Sequence, residues 1–193
     1  MLNPDRFGLL PIDDVPAAVL AAFDCGKPEL NSFLNNEAKD FQRKRLAFTT
    51  VVFHEEIDGP VGYFCLSNDG IPLKLSEQLE VEGDIPLSSF PGSKIGRLAV
   101  SSQLQSNGVG RRILELIVGE LIEQSKVSAA RLLVVDAANE PRVIKFYERF
   151  GFNESLWASD QNRNHGGRVR NEPAAIKMWL DVLNFNAASA SSD

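Results

Sequence analysis

The sequence predicts an α/β fold, a single domain whose mixed central sheet is covered by helices. Three observations predict it. Short β-branched and aromatic runs alternate along the chain with segments of helical periodicity. RLLVVDA, Arg131 to Ala137, is a continuous apolar run of the kind buried on both faces of a sheet. The 193 residues, 44% hydrophobic and 24% charged, suit one globular core and are few for two. Residues 1–183 are read as that domain, and the small polar stretch 184–193 as a frayed, disordered tail.

The elements follow in order. RFGLLPI, within Asp5 to Asp14, reads as an opening strand. Val15 to Phe23 has helical spacing, with Asp14 as N-cap and Pro16 in the first turn. After a break at Gly26 a second helix is expected, because Leu30, Phe33, Leu34, Ala38 and Phe41 share one face. Ala47 to Glu56 is a strand, IDGP (Ile57 to Pro60) a turn, and Val61 to Asn68 the partner strand of a hairpin. Asp69 to Ser93, rich in Pro, Gly, Ser and acid, reads as mostly loop with a helical turn at Leu75 to Leu79. Lys94 to Val100 is a strand and Val109 to Gln124 an amphipathic helix. Glu140 to Phe150 is a helix with Pro141 in its first turn and Gly151 as its stop. Ala174 to Val182 alternates and closes the sheet.

Composition narrows the function. The net charge of −6 and pI near 5.0 argue against a dedicated nucleic-acid coat protein. Cys25 and Cys65 have neither zinc nor disulfide spacing, so no metal is expected. The first residues lack the basic segment and apolar core of a signal peptide, and no apolar run is long enough to span a membrane. A cytoplasmic protein is expected.

The chemistry-bearing stretch is RLAVSSQLQSNGVGRRIL, Arg97 to Leu114, where a strand meets a glycine turn and then a helix. A dinucleotide fingerprint would need a third glycine, and a P-loop would need Gly-Lys-Ser/Thr; neither is present. What remains is Q-x-x-G-x-G at Gln105, Gly108 and Gly110. Backbone N–H groups of Gln105, Ser106, Asn107, Gly108, Val109 and Gly110 could converge there on a diphosphate. The helix N-terminus adds partial positive charge and Arg111 a full one. On spacing alone, an ordinary strand–turn–helix explains the stretch equally well.

The downstream residues add a resemblance. Gln105, Gly108, Gly110, Asn139, Phe146, Tyr147, Gly151 and Phe152 follow the pattern of the GNAT superfamily of N-acetyltransferases: strand, Q/R-x-x-G-x-G/A turn, long helix, strand, Asn, then an FYExxGF-like helix. The chain resembles that family from Lys94 to Phe152. Upstream, FDCGKPELNSFL and VGYFCLSN resemble the branch that contains the toxins of bacterial toxin–antitoxin pairs, which extends the match to Phe23. The resemblance implies the GNAT fold, with a mostly antiparallel sheet, and acetyl-CoA as cosubstrate. It places the diphosphate at Gln105 to Arg111 and the pantetheine arm along Leu98, Ala99 and Val100, with Asn139 and Phe146 also at the cofactor. For the toxins it implies acetylation of the amino group of an aminoacyl-tRNA and an antitoxin partner; homodimers are common in the branch. The acidic balance and the long Asn153 to Pro173 segment depart from the toxin pattern. Arg43-Lys44-Arg45, Arg111-Arg112 and Arg163, Arg168 and Arg170 are the basic clusters an RNA would need.

Acetyl transfer to an amine needs a polarised carbonyl and a protonated leaving sulfur. The resemblance assigns the proton to Tyr147, and a phenol, with an ordinary pKa of about 10, carries one at neutral pH. The Val100 N–H is a candidate carbonyl donor. Asn139 either binds the pantetheine arm or caps the following helix. The general base is open: His54 and His165 read as exposed bystanders, and Asp136 and Glu140 are too acidic unless strongly perturbed. Three functions are carried forward: an N-acetyltransferase acting on a primary amine, a toxin acting through charged tRNA, and a non-catalytic CoA-binding module.

Overall fold

The computed structural model describes residues 2–81, 87–165 and 173–185. Among the described residues seven strands form one mixed, mostly antiparallel sheet in the order β1-β2-β3-β4-β5-β7-β6. They are β1 Phe7–Pro11, β2 Phe48–His54, β3 Ile57–Ile71, β4 Phe90–Val100, β5 Leu132–Ala138, β6 Asn153–Glu154 and β7 Ala175–Asp181. The helices are α1 Ala17–Ala21, α2 Pro28–Ser32, α3 Ala38–Arg43, α4 Leu75–Gln78, α5 Val109–Gln124, α6 Pro141–Phe150 and α7 Leu156–His165. By their internal contacts the residues fall into two compact units, 1–67 with 95–120, and 68–94 with 121–193.

In the first unit β1 pairs antiparallel with β2, Leu9 opposite Val52, and β2 with β3, Val51 opposite Tyr63. The hairpin turn is not IDGP. His54 pairs with Ile57, so the chain reverses at Glu55 and Glu56. Gly59, at φ +82°, instead sits in β3 where the register slips between Val52 and His54. The glycine–proline pair therefore marks a bulge inside a strand. His54, expected to be exposed, is buried: its Nδ1 accepts the Glu56 N–H at 3.2 Å and its Nε2 lies 3.0 Å from the Asn3 carbonyl.

The first helix is shorter than its periodicity suggests. Ile12 is buried in a 3₁₀ turn, Ile12–Asp14, closed by the Val15 N–H, so Asp14 is used up there and Pro16 stands at the N-cap of α1. The second helix forms as expected but carries a π-helical segment, Phe33–Glu37, between α2 and α3. Phe33, Leu34 and Ala38 on its face pack with Ile12, Leu20, Phe23, Val51, Tyr63 and Ala99 as one core. Gly62 lets this core close. A Cβ there would lie 2.6 Å from both the Ala99 carbonyl oxygen and Ile113 Cδ1, closer than real side chains approach.

The second unit corrects the expected loop. β3 runs on to Ile71 and β4 begins at Phe90. Ile71, Leu73, Val81 and Phe90 join Leu132, Val134 and Trp179 in a second core cluster. Pro- and Gly-rich composition concealed these four apolar residues, which are scattered through the stretch. β5 pairs antiparallel with β7, and β7 with β6. Arg131 closes one end with a bidentate pair to Asp181, both bonds 2.7 Å. Glu77 of α4 is buried, 2% exposed. Its carboxylate accepts the Lys74 N–H at 2.8 Å, the Leu156 N–H at 2.9 Å and Trp179 Nε1–H at 3.1 Å. The long segment after Phe152 holds β6 and α7. Arg168, Arg170 and the tail from 186 lie outside the described residues, as do the side chains of Arg163 and His165.

Candidate functional site

In the first unit the chain leaves β4 at Val100, makes a 3₁₀ turn at Ser102–Leu104 and enters α5 at Val109. Ser106 and Gly108 both take left-handed backbone, φ +66° and +82°. Gly108 is needed there for its conformation rather than for space, since a Cβ would meet nothing within 4 Å. Gln105, Ser106, Asn107 and Gly108 are exposed, whereas Val109 is buried and anchors the helix start. The Arg112 N–H bonds the Gly108 carbonyl at 3.0 Å, so the amides of Val109, Gly110 and Arg111 precede the helical ladder. Left-handed turns opening onto a helix N-terminus aim successive N–H groups at one point, a geometry suited to an anion.

The Arg111 side chain lies along the helix, its Nε 3.4 Å from Glu115, and Arg112 Nη1 is 3.0 Å from the same carboxylate. The charge expected from Arg111 is thus partly offset. Its Nη2 is buried without a hydrogen-bond partner among the described residues, so one strong donor remains unmet. Leu98 and Val100 are half-buried and Ala99 is buried. The Gln105 side chain donates from Nε2 to the carbonyls of Cys25, 2.9 Å, and Val100, 3.1 Å.

In the second unit α6 carries Phe146 and Tyr147. Pro141 starts it, and Gly151 ends it at φ +109°, where L side chains are strained. Tyr147 is 6% exposed and packs edge-on against Phe146 and Phe152, at 5.0 and 5.2 Å between ring centres. Burial pushes its phenol above the ordinary value, which holds the proton on oxygen throughout the neutral range. Asn139 does not cap α6. That position belongs to Glu140, and the Asn139 amide instead donates to the Pro173 carbonyl at 3.0 Å.

The profile of the acetyltransferase (GNAT) domain matches residues 47–154, more than half the chain. The chain belongs to the GNAT acetyltransferase family. Solved structures agree on the fold. A tyrosine-to-phenylalanine mutant of KacT is 20% identical, with 93% of this chain and 97% of that one covered and a TM-score of 0.69. AtaT complexed with acetyl-methionyl-tRNAfMet is 19% identical, with 92% and 95% covered and a TM-score of 0.70. AtaTR bound with AcCoA is 20% identical, with 96% and 99% covered and a TM-score of 0.67.

Within this GNAT chain the sequence-level base candidates become fewer. His54 has both ring nitrogens engaged, one by the Glu56 N–H and the other at the Asn3 carbonyl. Burial would raise the Asp136 carboxyl, but Lys94 and Lys177, 2.5 and 3.2 Å away, outweigh it and hold the group below its ordinary value. Asp136 is a structural ion-pair partner. Glu140 is exposed. A cavity of about 390 Å³ in the second unit, lined by Glu80, Glu148, Arg149, Trp179 and Asp181 among others, includes none of the predicted site residues. Sequence reasoning missed Asp24 and Cys25, whose carbonyls accept hydrogen bonds from the 101–105 segment, and Asn31, which bonds to both residues; their only signal was the FDCGKPELNSFL motif. Among the described residues no helix is long and apolar enough to cross a membrane.

Proposed function

We propose that this protein transfers the acetyl group of acetyl-CoA to a primary amine in the cytoplasm, with residues 1–183 acting as one catalytic domain. The observation that carries the reading is the turn from Gln105 to Gly110. Its two left-handed residues and the amides that precede the helical ladder at the start of α5 suit a diphosphate. Leu98, Ala99 and Val100 would hold the pantetheine arm as an added strand, with Asn139 and Phe146 also at the cofactor. The amine nitrogen attacks the thioester carbonyl carbon; a C–N bond forms, the C–S bond breaks and the nitrogen's proton passes to solvent water. Tyr147 gives its phenolic proton, which a phenol carries at neutral pH, to the departing sulfur, and the phenolate takes a proton back from solvent water.

A second reading is favoured by the relatives. AtaT is known in complex with acetyl-methionyl-tRNAfMet and, with its tyrosine mutated, with the C-terminus of the antitoxin AtaR. On that reading the amine belongs to an aminoacyl-tRNA, an antitoxin covers the protein, and the exposed Arg43 and Lys44 contact phosphate. Incubation with labelled acetyl-CoA, a panel of small amines and a set of charged tRNAs tests both readings. Label on an amine supports acetyl transfer, and label on charged tRNA alone selects the second reading. CoA binding with label on neither leaves a non-catalytic module and overturns both.

The turn itself gives a further prediction. Gly108→Ala keeps space for its methyl but forces alanine into left-handed backbone, a cost of about 1 kcal/mol. Thermal melts should show that loss. Titration with CoA should show weaker binding, because the methyl projects from the segment assigned to the diphosphate.

A further inference from the structure

The motif FDCGKPELNSFL leads into the 101–105 segment through a hydrogen-bonded turn. Gly26 takes φ +75°. Asp24 Oδ1 accepts the Gly26 N–H at 2.8 Å and Asn31 Nδ2–H at 2.7 Å. Asn31 Oδ1 accepts the Cys25 N–H and the Cys25 thiol, each at 3.1 Å. One amide side chain thus fixes the peptide units of Asp24 and Cys25. Both of their carbonyls face the stretch after β4: the Asp24 carbonyl accepts the Ser102 N–H at 2.9 Å, and the Cys25 carbonyl accepts Gln105 Nε2–H at 2.9 Å.

The same stretch has few supports of its own. The Leu104 N–H closes onto the Ser101 carbonyl at 2.9 Å, and the Ser101 N–H onto the Val61 carbonyl at 2.9 Å. Immediately beyond Gln105 come Ser106 and Gly108, the two left-handed residues, whose conformations are not self-supporting. A cradle of backbone amides binds an anion well only if its geometry is set before the anion arrives.

We propose that the Asp24–Cys25–Asn31 turn is a positioning device for the diphosphate loop: Asn31 acts through the Cys25 carbonyl and Gln105 to pre-set the 105–110 amides. The proposal rests on the acetyl-CoA reading above. It assigns Gln105 a side-chain task separate from its backbone one, and gives the amino-terminal motif a function that reaches across 80 residues of sequence.

The test measures the affinities of CoA and of pantetheine, the same thiol arm without the diphosphate, by calorimetric titration. Wild type is compared with Asn31→Ala and with Gln105→Met, which removes the donating amide at similar length without adding charge. In both variants CoA affinity should fall roughly ten-fold, the equivalent of one net hydrogen bond, while pantetheine affinity falls far less. A support for the fold alone would weaken both probes equally, and that result, or unchanged CoA affinity, overturns the proposal. Should Asn31→Ala fail to fold, Gln105→Met, which leaves the turn's own bonds intact, decides alone. Wild type that does not bind CoA would remove the acetyl-CoA reading together with this one; wild-type binding with unaffected variants removes only this one.

Discussion

Tyr147→Phe is expected to lower acetyl-transfer turnover by roughly 10² to 10⁴, the usual worth of a positioned general acid, while leaving CoA affinity and the melting temperature close to wild type. The separation of effects follows from the packing. Tyr147 owes its place to edge contacts with Phe146 and Phe152 and to near-complete burial. Phenylalanine keeps the ring and therefore those contacts. What disappears is one hydroxyl, whose proton burial holds in place. Single-turnover measurements at saturating acetyl-CoA separate the chemical step from binding. Equal turnover in the two proteins would take Tyr147 out of the reaction and leave water or the incoming amine to protonate the sulfur.

The largest expected effect on stability lies at Glu77. Its carboxylate satisfies three buried donors: the amides of Lys74 and Leu156 and the indole of Trp179. Glu77→Ala would leave all three without an acceptor and open a void in a 2%-exposed position. A cost of about 3–5 kcal/mol is expected. Glu77→Gln should cost less, because one oxygen can still serve two of the donors and only the Lys74 amide faces a competing NH₂. Urea denaturation curves measure both variants. A loss below about 1 kcal/mol for Glu77→Ala would mean that water enters and replaces the carboxylate.

The sequence reading was accurate where local chemistry and tertiary structure agree. The strand before Val100, the α5 helix, the Pro141 start and Gly151 stop of α6, and the buried face of Leu30, Phe33, Leu34, Ala38 and Phe41 all follow from periodicity and from residues with special backbone needs. It erred where tertiary context decides. Gly59-Pro60 has the composition of a turn, yet the chain turns at two glutamates and uses the glycine for a bulge. Ile71, Leu73, Val81 and Phe90 are too sparse to signal a core until Leu132, Val134 and Trp179 are placed against them. In the candidate site, Gly108 is a turn residue the sequence could signal because its backbone is left-handed, whereas Ser106 takes the same conformation without that signal. The tie from Gln105 to Cys25 had no such signal, since no local pattern links residues so far apart.

The buried carboxylate at position 77 also has a consequence for the order of events during synthesis. Its indole donor is residue 179, more than a hundred positions later. On the ribosome the stretch after β3 would therefore emerge with a carboxylate that has its Lys74 amide at hand but not its donors from Leu156 and Trp179. It must wait, hydrated, until nearly the whole chain is available. A chain ended ahead of Trp179 would leave that carboxylate without its indole donor.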